Sequence, residues 1–97
     1  MALPITVVAL NASTNLSDTG TADLTAIASF VSAQVITTGG RRPICSFAGS
    51  TDGVTYTQMF ATTRQGTWFY FNMPVRYVQV TIANNKGTCT VNVAGTA

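Results

Sequence analysis

The residues of this chain that could take part in chemistry are few and lie far apart. General acid–base catalysis needs a group that titrates near neutrality, usually histidine, or paired carboxylates whose surroundings separate their pKa values. The 97-residue chain has no histidine and no glutamate, and its only acidic side chains are Asp18, Asp23 and Asp52. Each of them has a Gly, Ser or Thr residue within two positions, a setting in which aspartate usually supports a turn. We therefore expect that the protein is not an enzyme.

The two cysteines, Cys45 and Cys89, are also far apart in the sequence. Zinc sites need clustered cysteine and histidine ligands, and a cysteine nucleophile needs a base beside it. Neither requirement is met, so we expect no metal and no cofactor. Two alternatives remain for the thiols. We favour free buried thiols, because an unpaired cysteine behaves as a small core hydrophobe, over a disulfide.

Charge is sparse along the whole chain. Charged residues make up 8% of it and the net charge is +2, whereas about 25% is usual for soluble domains. A nucleic-acid surface needs clustered basic residues, and only Arg41 and Arg42 are adjacent. No stretch approaches the ~20 apolar residues that span a bilayer. We expect neither a nucleic-acid nor a membrane partner. Low charge fits a surface covered in an assembly, or simply a neutral surface of Thr, Ser and Asn.

Short apolar runs between turn residues predict strands. The segments Arg76–Ile82 and Thr88–Val93 alternate apolar and polar residues, as half-buried antiparallel strands do. The short link 84–87 predicts that these two strands form a hairpin. The Asp52-Gly53 dipeptide, which favours a tight turn, predicts a second hairpin between Ile44–Ala48 and Val54–Phe60.

The remaining segments complete an all-β reading. Leu3–Leu10 and Thr67–Phe71 are further predicted strands, the second with aromatic residues on both faces. The stretch 22–38 fits a helix or two strands, and we favour strands because the flanking elements are β. A chain of this length suits one domain over residues 1–97. Its strands and turns predict a sandwich or a barrel.

Two motifs carry a resemblance to known proteins. The segment 47–58, with Ser50, Asp52, Gly53 and Tyr56, and the later strand 75–82, beginning Val-Arg-Tyr, resemble discoidin-like and related jelly-roll β-sandwich domains. The resemblance implies a single antiparallel, jelly-roll-like β-sandwich. It also implies scaffold roles. Asp52 would bond backbone amides, Gly53 would adopt positive φ, Tyr56 would pack beneath the turn, and Arg76 would neutralise a carboxylate, with Asp52 as the candidate partner.

The closing segment 87–95 is similar to the last strand of small jelly-roll domains from tailed-phage virions. This resemblance implies a bacteriophage virion structural protein, assembled in the host cytoplasm. We expect a homo-oligomeric capsid decoration, or cement, protein that stabilises the shell by contacting the major capsid protein or other virion proteins. The interface candidates are apolar, basic or aromatic: Leu3, Ile5, Val7, Arg41, Arg42, Trp68 and Tyr70.

An alternative function remains open. A carbohydrate-binding module, or a fibre-tip or tail adaptor domain of a phage particle, would stack glycan rings on Trp68, Tyr70 and Tyr77.

Overall fold

Strands are the only regular secondary structure in the part of the chain that the structure describes. The computed structural model describes residues 5–39, 43–62, 68–71, 74–85 and 87–96, with 68–71 described by their backbone. These residues form eight strands, in which β-branched and apolar residues are frequent. The strands are β1 (Ile5–Ser13), β2 (Asp18–Ala28), β3 (Phe30–Thr38), β4 (Ile44–Ser50), β5 (Thr57–Thr62), β6 (Trp68–Phe71), β7 (Val75–Ala83) and β8 (Thr88–Thr96). The all-β prediction is confirmed, including two strands in the ambiguous stretch 22–38. Within the described ranges, no helix is long and apolar enough to cross a membrane.

The strands form two antiparallel four-stranded sheets. Sheet A has the order β1-β8-β3-β6 and sheet B has the order β2-β7-β4-β5. Two packed sheets of four strands with this interleaved order are a jelly roll. The predicted jelly-roll-like β-sandwich is therefore confirmed.

One predicted hairpin is confirmed and the other is wrong. Strands β4 and β5 pair antiparallel around the Asp52-Gly53 turn, although β5 begins at Thr57 because residues 54–56 belong to the turn. Strand β7 pairs instead with β2 and β4, and β8 pairs with β1 and β3. The link 84–87 therefore crosses from sheet B to sheet A. Alternation reveals which side of a strand is buried, but it does not reveal which strand is its neighbour.

A buried amide explains how this crossing is held. Asn85 is only 3% exposed, and its Nδ2 donates hydrogen bonds of 3.0 Å to the carbonyl oxygens of Ser13 and Asn15. Its backbone N–H donates to the carbonyl of Leu16 at 3.0 Å. The link between β7 and β8 is thus tied to the link between β1 and β2.

The core lies between the two sheets and follows the predicted alternation. The inward residues of β7 (Val78, Val80, Ile82) and β8 (Cys89, Val91, Val93) are all fully buried. Phe47 is the largest of the fully buried side chains, and its ring stacks on Phe60 with centroids 6.4 Å apart. Burying a side chain of this size stabilises the fold by roughly 1.5–3 kcal/mol. The outward-facing residues of each sheet remain available for other contacts.

Candidate interaction surface on sheet A

The predicted interface residues of the first strand pack toward the core. Ile5 and Val7 are half-buried against it, and their part in an interface stays a prediction. Because side chains alternate along β1, Thr6 and Val8 point outward instead, and Val8 is 51% exposed. Leu3 lies outside the described residues.

The other predicted interface residues are only partly covered by the structure. Arg41 and Arg42 lie outside the described residues. Trp68 and Tyr70 lie in β6, an edge strand of sheet A, where the backbone register places Trp68 opposite Gln34 and Tyr70 opposite Ser32. Their side chains are outside what the structure describes.

Sheet A nevertheless presents a continuous surface to solvent, which we call the outer A face. It consists of the residues of β1, β3 and β8 that alternate with core residues. The register aligns them in rows across the sheet, such as Val8, Asn92 and Gln34. The outer A face comprises Thr6, Val8, Phe30, Ser32, Gln34, Ile36, Thr38, Thr90, Asn92, Ala94 and Thr96.

Apolar side chains stand out from this polar background. Phe30 is 54% exposed and Ile36 is 42% exposed. Beside Phe30 there is a concave space of about 290 Å³, lined by Phe30, Val31, Ser32, Ala94 and Thr96. This volume is close to the lower end of small-ligand pockets, roughly 300 Å³. The sequence contained the signal for Phe30 and Ile36, because Val31, Ala33 and Val35 alternate with them. The same stretch also fits a helix, and that ambiguity hides the alternation in the sequence.

The two sheets differ in their content of charged residues. The four strands of sheet A contain no Asp, Glu, Lys or Arg, whereas sheet B contains Asp18, Asp23 and Arg76. Docking a charge-free face avoids the cost of removing ions from water. Interface cores are depleted of charged residues for this reason. The outer A face therefore shares the absence of charged residues with interface cores.

The single salt bridge found among the described residues lies on sheet B and corrects a prediction. Arg76 donates from Nε to Asp23 Oδ1 at 2.9 Å and from Nη2 to Asp23 Oδ2 at 3.2 Å. Asp52, the partner implied by the resemblance, is not bonded to Arg76 and the pairing is wrong. The reason is the β2–β7 register, which sets Asp23 opposite Tyr77, next to Arg76. The guanidinium also lies over the Tyr77 ring, 4.9 Å from its centroid. The hydrogen bonds from Arg76 lower the pKa of Asp23.

Asp52 has the turn role that the resemblance implied. Its Oδ1 accepts hydrogen bonds from Ser50 Oγ (2.8 Å) and from the amides of Val54 (2.8 Å) and Thr55 (3.0 Å). These bonds, the Thr55 amide first, lower the pKa of Asp52 to about 2. The carboxylate therefore stabilises the turn of its own hairpin.

Gly53 adopts the expected positive φ, 79°, but a different aromatic ring packs against it. A β-carbon at Gly53 would lie 3.2 Å from Cε2 of Tyr77. The prediction named Tyr56, which is a half-buried residue of the turn itself, whereas the ring found against Gly53 is that of Tyr77.

The ionisable residues of the described ranges do not form a metal-binding cluster. Within the described ranges, no group of three or more Cys, Asp or Glu residues is placed to hold a metal ion. The aspartates there accept hydrogen bonds from nearby turn residues or from Arg76.

Comparison with known proteins finds this fold in several solved structures. No protein-family model matches the chain, and no curated protein matches it either. Among solved structures, the SPBc2 prophage-derived protein YomS has a TM-score of 0.76 at 11% identity, covering 100% of this chain and 97% of YomS. The fold is shared along the whole length of both chains.

Two carbohydrate-related structures are similar as well. The C-terminal domain of a chitobiase from Bacteroides fragilis has a TM-score of 0.63 at 16% identity, covering 84% of this chain and 65% of that one. Chitosan-binding module 1 from a Paenibacillus chitosanase/glucanase has a TM-score of 0.56 at 15% identity, covering 91% and 75%. At these identities the likeness establishes the fold alone.

The glycan-stacking alternative has to be revised in one respect. Tyr77 lies in β7 of sheet B, whereas Trp68 and Tyr70 lie in β6 of sheet A. The three residues therefore do not belong to one sheet, and the Tyr77 ring already contacts the Arg76 guanidinium.

Proposed function

We propose that the protein is a bacteriophage structural protein that docks through the outer A face onto neighbouring virion subunits, and that it acts as a capsid decoration protein. The observation that carries the proposal is a sheet whose strands contain no charged residue and whose outer face exposes Phe30, Ile36 and Val8. The full-length likeness to a prophage-derived protein supports the phage assignment.

The size of the face indicates how such a protein would bind. The three strands of the outer A face, about 4.8 Å apart and roughly 30 Å long, give a face of about 400–450 Å². A standard stable interface buries about 800 Å² on each partner. One copy would therefore bind weakly through this face alone. Several copies joined about a symmetry axis would bind much more tightly, because their contacts act together. This is the physical reason to expect a homo-oligomer on the shell.

The test measures incorporation into particles. Mass spectrometry of purified particles should find the protein at hundreds of copies, whereas a dozen or fewer would indicate a tail component, and none would overturn the virion assignment. Added back to particles that lack it, the Gln34→Lys variant should bind at least tenfold less, because it places a charge at the centre of the outer A face. Gln79→Lys is the matched control, since Gln79 is a half-buried residue on a central strand of sheet B. Equal binding by both variants would exclude the outer A face.

A second function, glycan binding, is favoured by a separate observation. A concave space of about 280 Å³ near the Asp52 turn is lined by the hydroxyl-bearing residues Ser50, Thr51, Thr55 and Thr57, together with Gly49, Asp52, Pro74 and Val75. Hydroxyl and carboxylate groups are suitable partners for sugar hydroxyls. The fluorescence of Trp68, the only tryptophan, can be followed during titration with chitosan and N-acetylglucosamine oligomers. Saturable change that is lost in Thr55→Ala would support this function, and no change would exclude it for these sugars.

A further inference from the structure

The two cysteines meet inside the core. Cys45 lies on β4 of sheet B and Cys89 lies on β8 of sheet A. Both are fully buried free thiols in the core, and they are hydrogen-bonded to each other. They are the only cysteines in the chain. We propose that Cys45 and Cys89 form an inter-sheet disulfide when the protein folds under oxidising conditions, so that one covalent bond closes the sandwich.

The surroundings of the two thiols favour this bond. A disulfide requires Cα atoms roughly 4.4–6.8 Å apart, whereas packed sheets are about 10 Å apart, so the strands must approach locally. The cross-strand neighbours of Cys89 are Ser13 and Thr37, and those of Cys45 are Thr62 and Ile82. Three of these four side chains are small, which leaves room for that approach.

The bond would join two strands that share no backbone hydrogen-bond ladder. Strand β4 is hydrogen-bonded to β5 and β7, and β8 to β1 and β3. Among the described residues no backbone ladder connects one sheet to the other, so the sheets are held together by core packing and by side-chain bonds such as that from Ser13 Oγ to Asp18 Oδ2. A covalent bond between Cys45 and Cys89 would restrict their separation in the unfolded chain as well, which raises stability.

The chemistry balances with glutathione disulfide as oxidant. One thiolate attacks a sulfur of glutathione disulfide, which forms a mixed disulfide and releases one glutathione thiolate. The second protein thiolate attacks the protein-bound sulfur and releases the other glutathione thiolate. Two protein thiols thus lose two electrons and two protons, and one glutathione disulfide becomes two glutathione molecules. Both thiols are fully buried, so an oxidant reaches them slowly in the folded protein and quickly in the unfolded chain.

The experiment therefore oxidises the protein as it refolds. The full chain is refolded from guanidinium in buffers of varied glutathione disulfide to glutathione ratio, quenched in acid, and then alkylated in guanidinium at neutral pH, where the thiols are reactive. Intact mass should show two free thiols at reducing ratios and none at oxidising ratios, with a peptide pair linking Cys45 to Cys89. The oxidised monomer should melt on the order of 10 °C or more above the reduced one.

Variants and outcomes keep the inference falsifiable. Cys45→Ala and Cys89→Ala each leave one thiol and should lose the shift between oxidising and reducing buffers, while a melting transition confirms that they fold. Two free thiols in the folded product at every ratio would overturn the proposal. A glutathione adduct without a cross-link, or bonds only between chains, would overturn it equally. None of these outcomes depends on whether the protein is a virion component.

Discussion

Gly20 and Ala9 are in direct contact where the two sheets meet at one edge. A β-carbon on Gly20 would lie 1.9 Å from the carbonyl oxygen of Ala9, so residue 20 has no room for a side chain. Gly20 belongs to β2, the edge strand of sheet B, and Ala9 to β1, the edge strand of sheet A. This contact closes one side of the sandwich and brings β1 beside β2.

The Gly20→Ala variant should therefore be much less stable than the native protein. The added methyl group would push β1 away from β2, at a cost on the order of 2–4 kcal/mol in the free energy of unfolding. Urea denaturation followed by circular dichroism measures this. Thr21→Ala, at an exposed position on the same strand, is the control and should change stability by less than about 0.5 kcal/mol. Similar values for the two variants would contradict the close approach.

Asn85 should be required for the crossing between the sheets. In Asn85→Ala the carbonyl oxygens of Ser13 and Asn15 lose their amide donor, which should cost roughly 1–3 kcal/mol of unfolding free energy. The neighbouring residue provides the control. Asn84 has φ of 62°, so Asn84→Gly relieves that conformation and should be neutral or stabilising. The melting temperature of Asn85→Ala should fall, whereas that of Asn84→Gly should rise or stay unchanged.

Stability should respond to acid in a defined window. In the folded protein the pKa values of Asp18, Asp23 and Asp52 are lowered, chiefly by the Ser13 hydroxyl, the Arg76 guanidinium and the Thr55 amide respectively. Aspartate in an unfolded chain has a pKa of about 3.9. A lowered folded pKa adds stability above that value and loses it as the pH falls toward the folded value, about 2 for Asp52.

Melting temperatures should accordingly stay nearly constant from about pH 5 to pH 8, because the chain has no histidine, and should fall below about pH 4. The Asp52→Asn variant should lose part of this acid dependence, since its amide cannot titrate. A transition centred near pH 6 would contradict the assignment.

Docking through the outer A face should depend little on salt. Charges in solution are screened over about 10 Å at 0.1 M salt and about 3 Å at 1 M, but the strands of this sheet carry none. Binding to particles should therefore change less than about threefold between 0.05 and 0.5 M sodium chloride. A contact made instead by Arg41 and Arg42 would weaken steeply over that range and would be lost in the Arg41→Ala, Arg42→Ala double variant.

Local sequence pattern did not predict which strands pair with each other. The alternation in β7 and β8 correctly identified their buried residues, because a strand exposes alternate side chains to one core. The short link between them suggested a hairpin, yet β7 and β8 lie in different sheets. In the same way, Arg76 was expected at Asp52 and is bonded to Asp23 in β2. Both errors concern partners far away in the sequence.

The candidate surface was recognised only in part for a related reason. Low charge fitted either a covered face or a neutral polar surface, and the candidates named on β1, Ile5 and Val7, are half-buried against the core. Phe30 and Ile36 became visible once β3 was a strand with Val31, Ala33 and Val35 buried. The choice of outward face depends on which side of the strand the second sheet covers.

From the sequence alone came the all-β class, the buried alternation, the Asp52-Gly53 turn and the absence of histidine and glutamate, because each depends on residue type or on near neighbours. The tertiary structure decided the strand order, the Arg76–Asp23 pair, the charge-free outer A face and the meeting of Cys45 with Cys89. These depend on how two sheets stack, which is set by packing among residues that are distant along the chain.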